Sequence, residues 1–343
     1  MFTKQDLVQK EKYLKIDESG GFILDYDGKL TVIDFHTHMC NVLPLKSINP
    51  KTKGNELKYL TMPSIESIDF SVPYWKKEGI DNKQQGFMSV IRFSSNAYKI
   101  LLDMKNGGTY ENCIKSQEKN QINLNVVLPL SNRKFDCSLE ALKTVTDYPK
   151  RFVAFCSVHP NDPKIREKIF KYKALGAKGC KLKISDIEIK NDFRPLINLY
   201  RICYEATLPL LLHTGSIQVN RQSTHKLLWK LLKSTRVEIF VKLLEEMPED
   251  FVFIFGHSGI SEYKQVADCM QKHPACYAEL SSQSQQSIGY LIDQVGYERL
   301  LFGSDWPALP QAITLSRVLL ATENNAEARE HILYKNAKRL LNL

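Results

Sequence analysis

Two histidines two residues apart, His36 and His38, close an apolar run that begins Val32-Ile33-Asp34-Phe35. On an extended strand alternate side chains share a face, so both imidazoles point the same way. Paired imidazoles at a strand end are half of a divalent-metal site. Three further apolar runs end in residue types that suit such a site: Leu210-Leu211-Leu212-His213, Val252-Phe253-Ile254-Phe255-Gly256-His257 and Leu300-Leu301-Phe302-Gly303-Ser304-Asp305. The chemistry they could share is that of a bound cation, which lowers the pKa of a water toward about 7 and so makes a nucleophile at neutral pH.

The rest of the chain must gather those ends. Apolar strands, expected over 31–38, 123–130, 151–158, 179–184, 208–213, 251–256, 275–280 and 300–303, alternate with helical segments over about 164–175, 193–206, 237–247, 261–271, 288–295, 312–321 and 327–341. Gly176 stands where the first of these helices stops, a position that favours glycine. The alternation implies a parallel sheet covered on both faces. Eight such strands fit an α/β fold, the (β/α)8 TIM barrel, whose chemistry sits at the C-terminal strand ends. An open doubly wound sheet would place a glycine-rich phosphate loop after the first strand. This chain has His36-Thr37-His38 there.

Residues 1–30 read as an N-terminal extension: a short polar helix, a turn at Gly20-Gly21, and a hairpin arm from Phe22 with Asp27-Gly28 as its turn signal. The barrel domain spans 31–343, with a long insertion after its first strand at about 39–121. Prolines and aromatics punctuate the early part of that insertion. It reads as a lid over the barrel mouth, with Tyr74, Trp75 and Arg92 as candidate substrate contacts; anchoring of the loop to the barrel explains the aromatics as well. From Ser89 to about Lys119 the pattern turns helical.

The chain has 343 residues, 43% hydrophobic and 25% charged, which excludes a disordered chain. Its net charge of +9 suits an acidic substrate, but the lysines are scattered at spacings that suit solvated helix faces. Eight cysteines form no CxxC pair, and several lie inside apolar runs, where a free thiol packs as a small hydrophobe. No run approaches a membrane span, and the first residues carry no apolar leader. The expectation is a cytoplasmic protein acting on a small molecule, with no membrane partner and nucleic acid disfavoured. Homo-oligomerisation is left open.

Several stretches carry a resemblance. Asp34-Phe35-His36-Thr37-His38, the run Arg151 to Pro163, Gly179-Cys180-Lys181-Leu182-Lys183, His213-Thr214-Gly215-Ser216, Gly256-His257-Ser258-Gly259, Phe302-Gly303-Ser304-Asp305-Trp306-Pro307 and the last helix from Ile332 to Leu341 resemble the amidohydrolase superfamily, in its amidohydrolase-related (amidohydrolase 2) branch. The resemblance covers about residues 29–343 and is weak over the insertion. It implies that His36, His38, His213 and Asp305 hold a metal, Zn²⁺ first, with one ion per chain favoured over another divalent metal or a binuclear site. Asp305 would also take a proton from the activated water. His257 either binds a second metal or polarises the substrate as an acid/base or electrostatic group. Lys181 falls where some branches carboxylate a lysine to bridge two metals; the favoured reading gives Lys181 and Lys183 to a substrate carboxylate. Asp34 is read as a partner for an imidazole N–H or as a plain interior hydrogen bond. Glu279 is a weak candidate at the mouth.

The leading function is therefore a metal-dependent hydrolase opening an amide, lactone or ester bond. The alternative is a zinc-dependent decarboxylase of an aromatic or related acid, since the resemblance covers both chemistries. A metal-dependent deoxyribonuclease ranks lower, because such enzymes are expected to carry glutamate where this chain has Lys181. A non-catalytic barrel ranks last.

Overall fold

A computed structural model describes residues 4–39, 107–131, 135–184, 192–215 and 235–343. The lid candidates Tyr74, Trp75 and Arg92 lie outside the described residues.

Among the described residues eight parallel strands follow one another along the chain: β3 (Ile33–Thr37), β4 (Leu124–Val127), β5 (Phe152–Ala154), β6 (Cys180–Leu182), β7 (Leu210–His213), β8 (Phe253–Gly256), β9 (Cys276–Glu279) and β10 (Leu300–Leu301). They form a three-stranded sheet, β3-β4-β5, and a five-stranded sheet, β6 to β10 in order. Isolated parallel bridges join the sheets at both seams, Cys156 to Cys180 between β5 and β6 and Thr37 to Trp306 between β3 and the segment after β10. The cyclic order is that of a (β/α)8 barrel.

The alternation of side chains builds two apolar layers. Ile33, Phe35, Val126, Val153, Phe155, Leu211, Ile254 and Leu301 pack together inside, where Ala337 and Leu341 of the last helix also reach. Their neighbours Phe152, Leu210, Leu212, Phe253, Phe255, Ala278 and Phe302 face the helices. Strands buried on both sides read as unbroken apolar runs, which is why the sequence shows them so plainly.

Helices cover the outside. They include Tyr110–Lys119, Ser138–Asp147, Ile165–Ala174, Arg194–Glu205, Val237–Leu244, Tyr263–Lys272, Gln285–Val295 and Gln311–Ala321. Gly176 follows Ile165–Ala174 at φ +99°, a backbone only glycine adopts without strain. The last helical stretch is not one helix: a π-turn, His331–Lys335, separates Ala326–Glu330 from Asn336–Leu341. No helix of the described residues is long and apolar enough to cross a membrane.

The N-terminal hairpin corrects the sequence reading. Leu14–Ile16 (β1) pairs antiparallel with Phe22–Leu24 (β2) through the turn at Gly20-Gly21, so Asp27-Gly28 is not its turn. Asp17 makes that turn, since its Oδ1 accepts from the backbone N–H groups of Ser19 and Gly21, both at 3.0 Å. Leu7, Leu14 and Phe22 then pack on Leu309, Ala312 and Ile313, and Glu11 receives the buried Arg317 guanidinium at 2.9 Å.

Candidate metal centre

The register of β3 against β4 shifts between Asp34 and Thr37. Such an irregularity re-aims side chains that strict alternation would place together. Asp34 accepts from the backbone N–H and hydroxyl of Ser304 (2.9 and 2.6 Å) and from the Gln311 amide (2.7 Å). Among the described residues it meets no imidazole N–H. Its carboxylate ties β3 to the segment after β10, so the interior-hydrogen-bond reading holds. Burial pushes its pKa up to about 7, opposed by these donors. His36 and His38 instead converge, with their Nε2 atoms 3.1 Å apart.

Asp305 completes the group. Its backbone N–H donates to the His36 carbonyl at 2.8 Å, and its φ of 63° is a left-handed value that aspartate tolerates better than most residues. One carboxylate oxygen then lies 3.2 Å from His38 Nε2 and 3.6 Å from His36 Nε2. Its side chain keeps 15% exposure while His36 is fully buried, so the group opens to solvent on the Asp305 side.

Each imidazole is held from behind. His38 Nδ1 lies 2.7 Å from the Leu128 carbonyl, which can only accept, so Nδ1 carries the proton. His36 Nδ1 lies 2.5 Å from Glu279 Oε2. Glu279 is fully buried beneath the mouth rather than at it, and its carboxylate also accepts the backbone N–H groups of His257 (3.0 Å) and Ser281 (2.5 Å). With both Nδ1 atoms protonated, two lone pairs and a carboxylate oxygen face one another across 3.1–3.6 Å. Ligand bonds of about 2.0–2.2 Å place ligand atoms about 2.8–3.6 Å apart, so a divalent cation fits between them. The carboxylate behind His36 is the partner that orients a metal-ligating histidine.

His213 stands apart from this group. Among the described residues, the side chains whose ligand atoms all lie within 4.8 Å of one another are His36, His38 and Asp305, and His36, His257 and Glu279. His213 Nδ1 is instead 2.8 Å from His257 Nε2, and His257 Nδ1 is 2.6 Å from Ser281 Oγ. Lys181 is fully buried with Nζ 3.3 Å from His36 Nε2, whereas Lys183 is exposed.

The electrostatics suit a cation. Burial holds His36 and His213 well below the usual histidine range, and the positive charge of Lys181 lowers both further. His257 is pushed down to about 4 by burial, against the pull of Asp305 and Glu279. All three imidazoles are therefore neutral, each with one unprotonated nitrogen. Burial raises the Asp305 pKa, but the His38 contact and the neighbouring imidazoles outweigh it, leaving the carboxyl below its ordinary value. Burial lowers Lys181 to about 7, against Glu279 and Asp305.

A family model for amidohydrolases (amidohydrolase 2) matches residues 128–343, a stretch that carries Lys181, His213, His257, Glu279 and Asp305. The chain belongs to this amidohydrolase family. Solved structures extend the likeness in fold over most of the chain. An uncharacterised TIM-barrel protein from Bordetella bronchiseptica is 14% identical, covers 91% of this chain and 99% of its own, and superposes with a TM-score of 0.60. A 5-carboxyvanillate decarboxylase from Novosphingobium aromaticivorans, complexed with manganese and 4-hydroxy-3-methoxy-5-nitrobenzoic acid, is 15% identical, with 96% and 99% covered and a TM-score of 0.57. A probable 2-pyrone-4,6-dicarboxylic acid hydrolase from Acinetobacter baumannii with citric acid bound is 11% identical, with 92% and 100% covered and a TM-score of 0.54. None of the curated proteins matches. The structural likenesses establish the fold of this amidohydrolase; at such identities they carry no substrate.

Sequence reasoning brought His36, His38 and Asp305 together and placed Lys181 beside them. It undervalued Glu279 and missed Ser281 and Gly303. A Cβ on Gly303 would come within 2.2 Å of Glu279 Oε1 and 2.7 Å of His36 Cβ, so only glycine leaves room for the pair. The signal was present as a glycine between the last apolar strand and Asp305.

Proposed function

We propose that this chain is a metal-dependent hydrolase that opens an amide, lactone or ester bond in a small carboxylate-bearing molecule. The observation that carries the reading is the converging trio His36, His38 and Asp305, with ligand atoms 3.1–3.6 Å apart on a solvent-open side. His36, His38 and Asp305 would hold Zn²⁺, one ion per chain; His213, expected as a fourth ligand, lies outside that trio against His257 and would have to join it through Nε2. When bound, the ion supplies Lewis acidity to the substrate carbonyl and acidity to a water. Asp305, ionised at neutral pH, takes the proton of the attacking water and passes it to the leaving group. His257, neutral and buried, is the acid/base group of the reading, taking a proton at Nε2 where substrate replaces its His213 contact. Lys181 and Lys183 attract the substrate carboxylate. Tyr74, Trp75 and Arg92 are assigned to the covering insertion. Six buried free thiols among the described residues support a reducing, cytoplasmic setting.

Decarboxylation is the second reading. It is favoured by Lys181, a buried amine 3.3 Å from His36 Nε2 where a carboxylate would be drawn in, and by the decarboxylases among the similar structures. The test is metal content by mass spectrometry, then a substrate screen in ¹⁸O-water with lactones, amides and hydroxybenzoates. Hydrolysis predicts ¹⁸O in the product and no CO₂. Release of CO₂ without ¹⁸O transfers the chain to the second reading. Absence of bound metal after zinc is offered overturns both.

A further inference from the structure

His257 carries two hydrogen-bonded nitrogens, and which of them is protonated decides what it and His213 can do. The backbone around it is fixed independently of its ring. His257, Ser258 and Ile260 all have positive φ (58°, 45° and 54°). Gln283 Nε2 clamps this turn by donating to the carbonyls of His257 (2.6 Å) and Ile260 (3.1 Å). Ser258 Oγ donates to the Glu279 carbonyl at 2.8 Å. Strained backbone of this kind persists where the surroundings over-determine it. The ring's Nδ1, by contrast, has Ser281 Oγ at 2.6 Å.

Ser281 has one proton to give. Its Oγ lies 2.9 Å from Glu279 Oε2. The fixed backbone neighbours of that carboxylate are donors, the N–H groups of His257 and Ser281. The carboxylate is therefore the acceptor, and the serine proton goes to it. Ser281 Oγ can then only accept from His257, which places a proton on His257 Nδ1 and leaves Nε2 with a lone pair. His213 Nδ1, 2.8 Å away, must be the donor of that pair, which leaves His213 Nε2 unprotonated. In the opposite polarity His213 Nε2 would hold a proton and could neither bind a cation nor accept a proton from substrate.

We infer that Ser281 is a positioning residue whose hydroxyl, anchored on Glu279, sets the tautomers of both His257 and His213. The hydrogen-bonded line His213–His257–Ser281–Glu279–His36 thus joins the two halves of the site. The inference deepens the proposed reading, which gives His257 and His213 their roles, but the tautomers are measurable without substrate or metal.

The experiment is long-range ¹H–¹⁵N correlation on the full chain labelled at histidine, with signals assigned through His213→Gln and His257→Gln. The expected wild-type result is Nδ1–H for both rings. Ser281→Ala should bring up the Nε2–H form of His257, and Ser281→Thr should restore the wild-type pattern. A wild-type spectrum showing Nε2–H at either ring overturns the inference without any variant, and so does Ser281→Ala with unchanged tautomers. Once a substrate is in hand, Ser281→Ala should lower kcat about 10–100-fold with little change in KM. A switched tautomer with unchanged kcat keeps the positioning role and removes His257 from the catalytic reading.

Discussion

Gly303 and Glu279 share one space: a methyl group on the glycine would sit 2.2 Å from the Glu279 carboxylate that holds His36 Nδ1. The absent side chain is thus part of the centre. Gly303→Ala is expected to push Glu279 off His36 and weaken metal binding about 10–100-fold, the usual cost of losing a partner behind a ligand. Equilibrium dialysis against zinc measures it, with Glu279→Gln expected to fall in the same range. Wild-type affinity in both variants would detach Glu279 from the centre.

Bound metal should stabilise the chain by mass action. At free metal 100 times its dissociation constant the gain is about 2.7 kcal/mol, visible as a higher Tm. His38→Ala removes one of three converging ligand atoms and should abolish most of the metal-dependent rise while changing the metal-free Tm far less. Differential scanning calorimetry with and without zinc separates the two effects.

Lys181 costs stability. Its pKa falls from 10.5 to about 7 on burial, so at neutral pH the unfolded chain binds a proton that the folded chain holds less tightly. The penalty is complete below about pH 7, shrinks as pH rises and vanishes above pH 10.5. Lys181→Met should therefore raise the Tm of the metal-free protein at pH 6–7 and raise it progressively less toward pH 10. A gain that does not change with pH would mean that packing, not charge, explains it.

Asp34 holds the seam between the two sheets with an acceptor-only group facing donors from Ser304 and Gln311. Asp34→Asn turns one acceptor into a donor among donors. A loss of about 1–3 kcal/mol is expected in the urea midpoint, with the slope unchanged.

Much of this was legible in the amino-acid order. Strands such as Leu210–His213 are apolar on both faces, and that pattern survives translation from sequence to structure without knowledge of partners. The polar residues ending those strands were readable for the same reason, since a barrel gathers strand ends on one face. Three things were not. The shift in β3 between Asp34 and Thr37 decides between two readings that the sequence leaves open for Asp34, an imidazole partner or an interior hydrogen bond, and gives it to Ser304 and Gln311. The value of Glu279 depends on a contact 243 residues away, which spacing does not reveal. Ser281 has the commonest of polar side chains, and only its two neighbours give it meaning.

The seam that Asp34 closes joins residues 270 positions apart. During synthesis β3 emerges early, pairs with β4 on one side, and must wait for residues 304–311 before its other edge is covered. Until those residues are made, the edge of β3 that leads to His36 and His38 has no partner on that side. The junction is one of high contact order, and Asp305 can join His36 and His38 only once it closes.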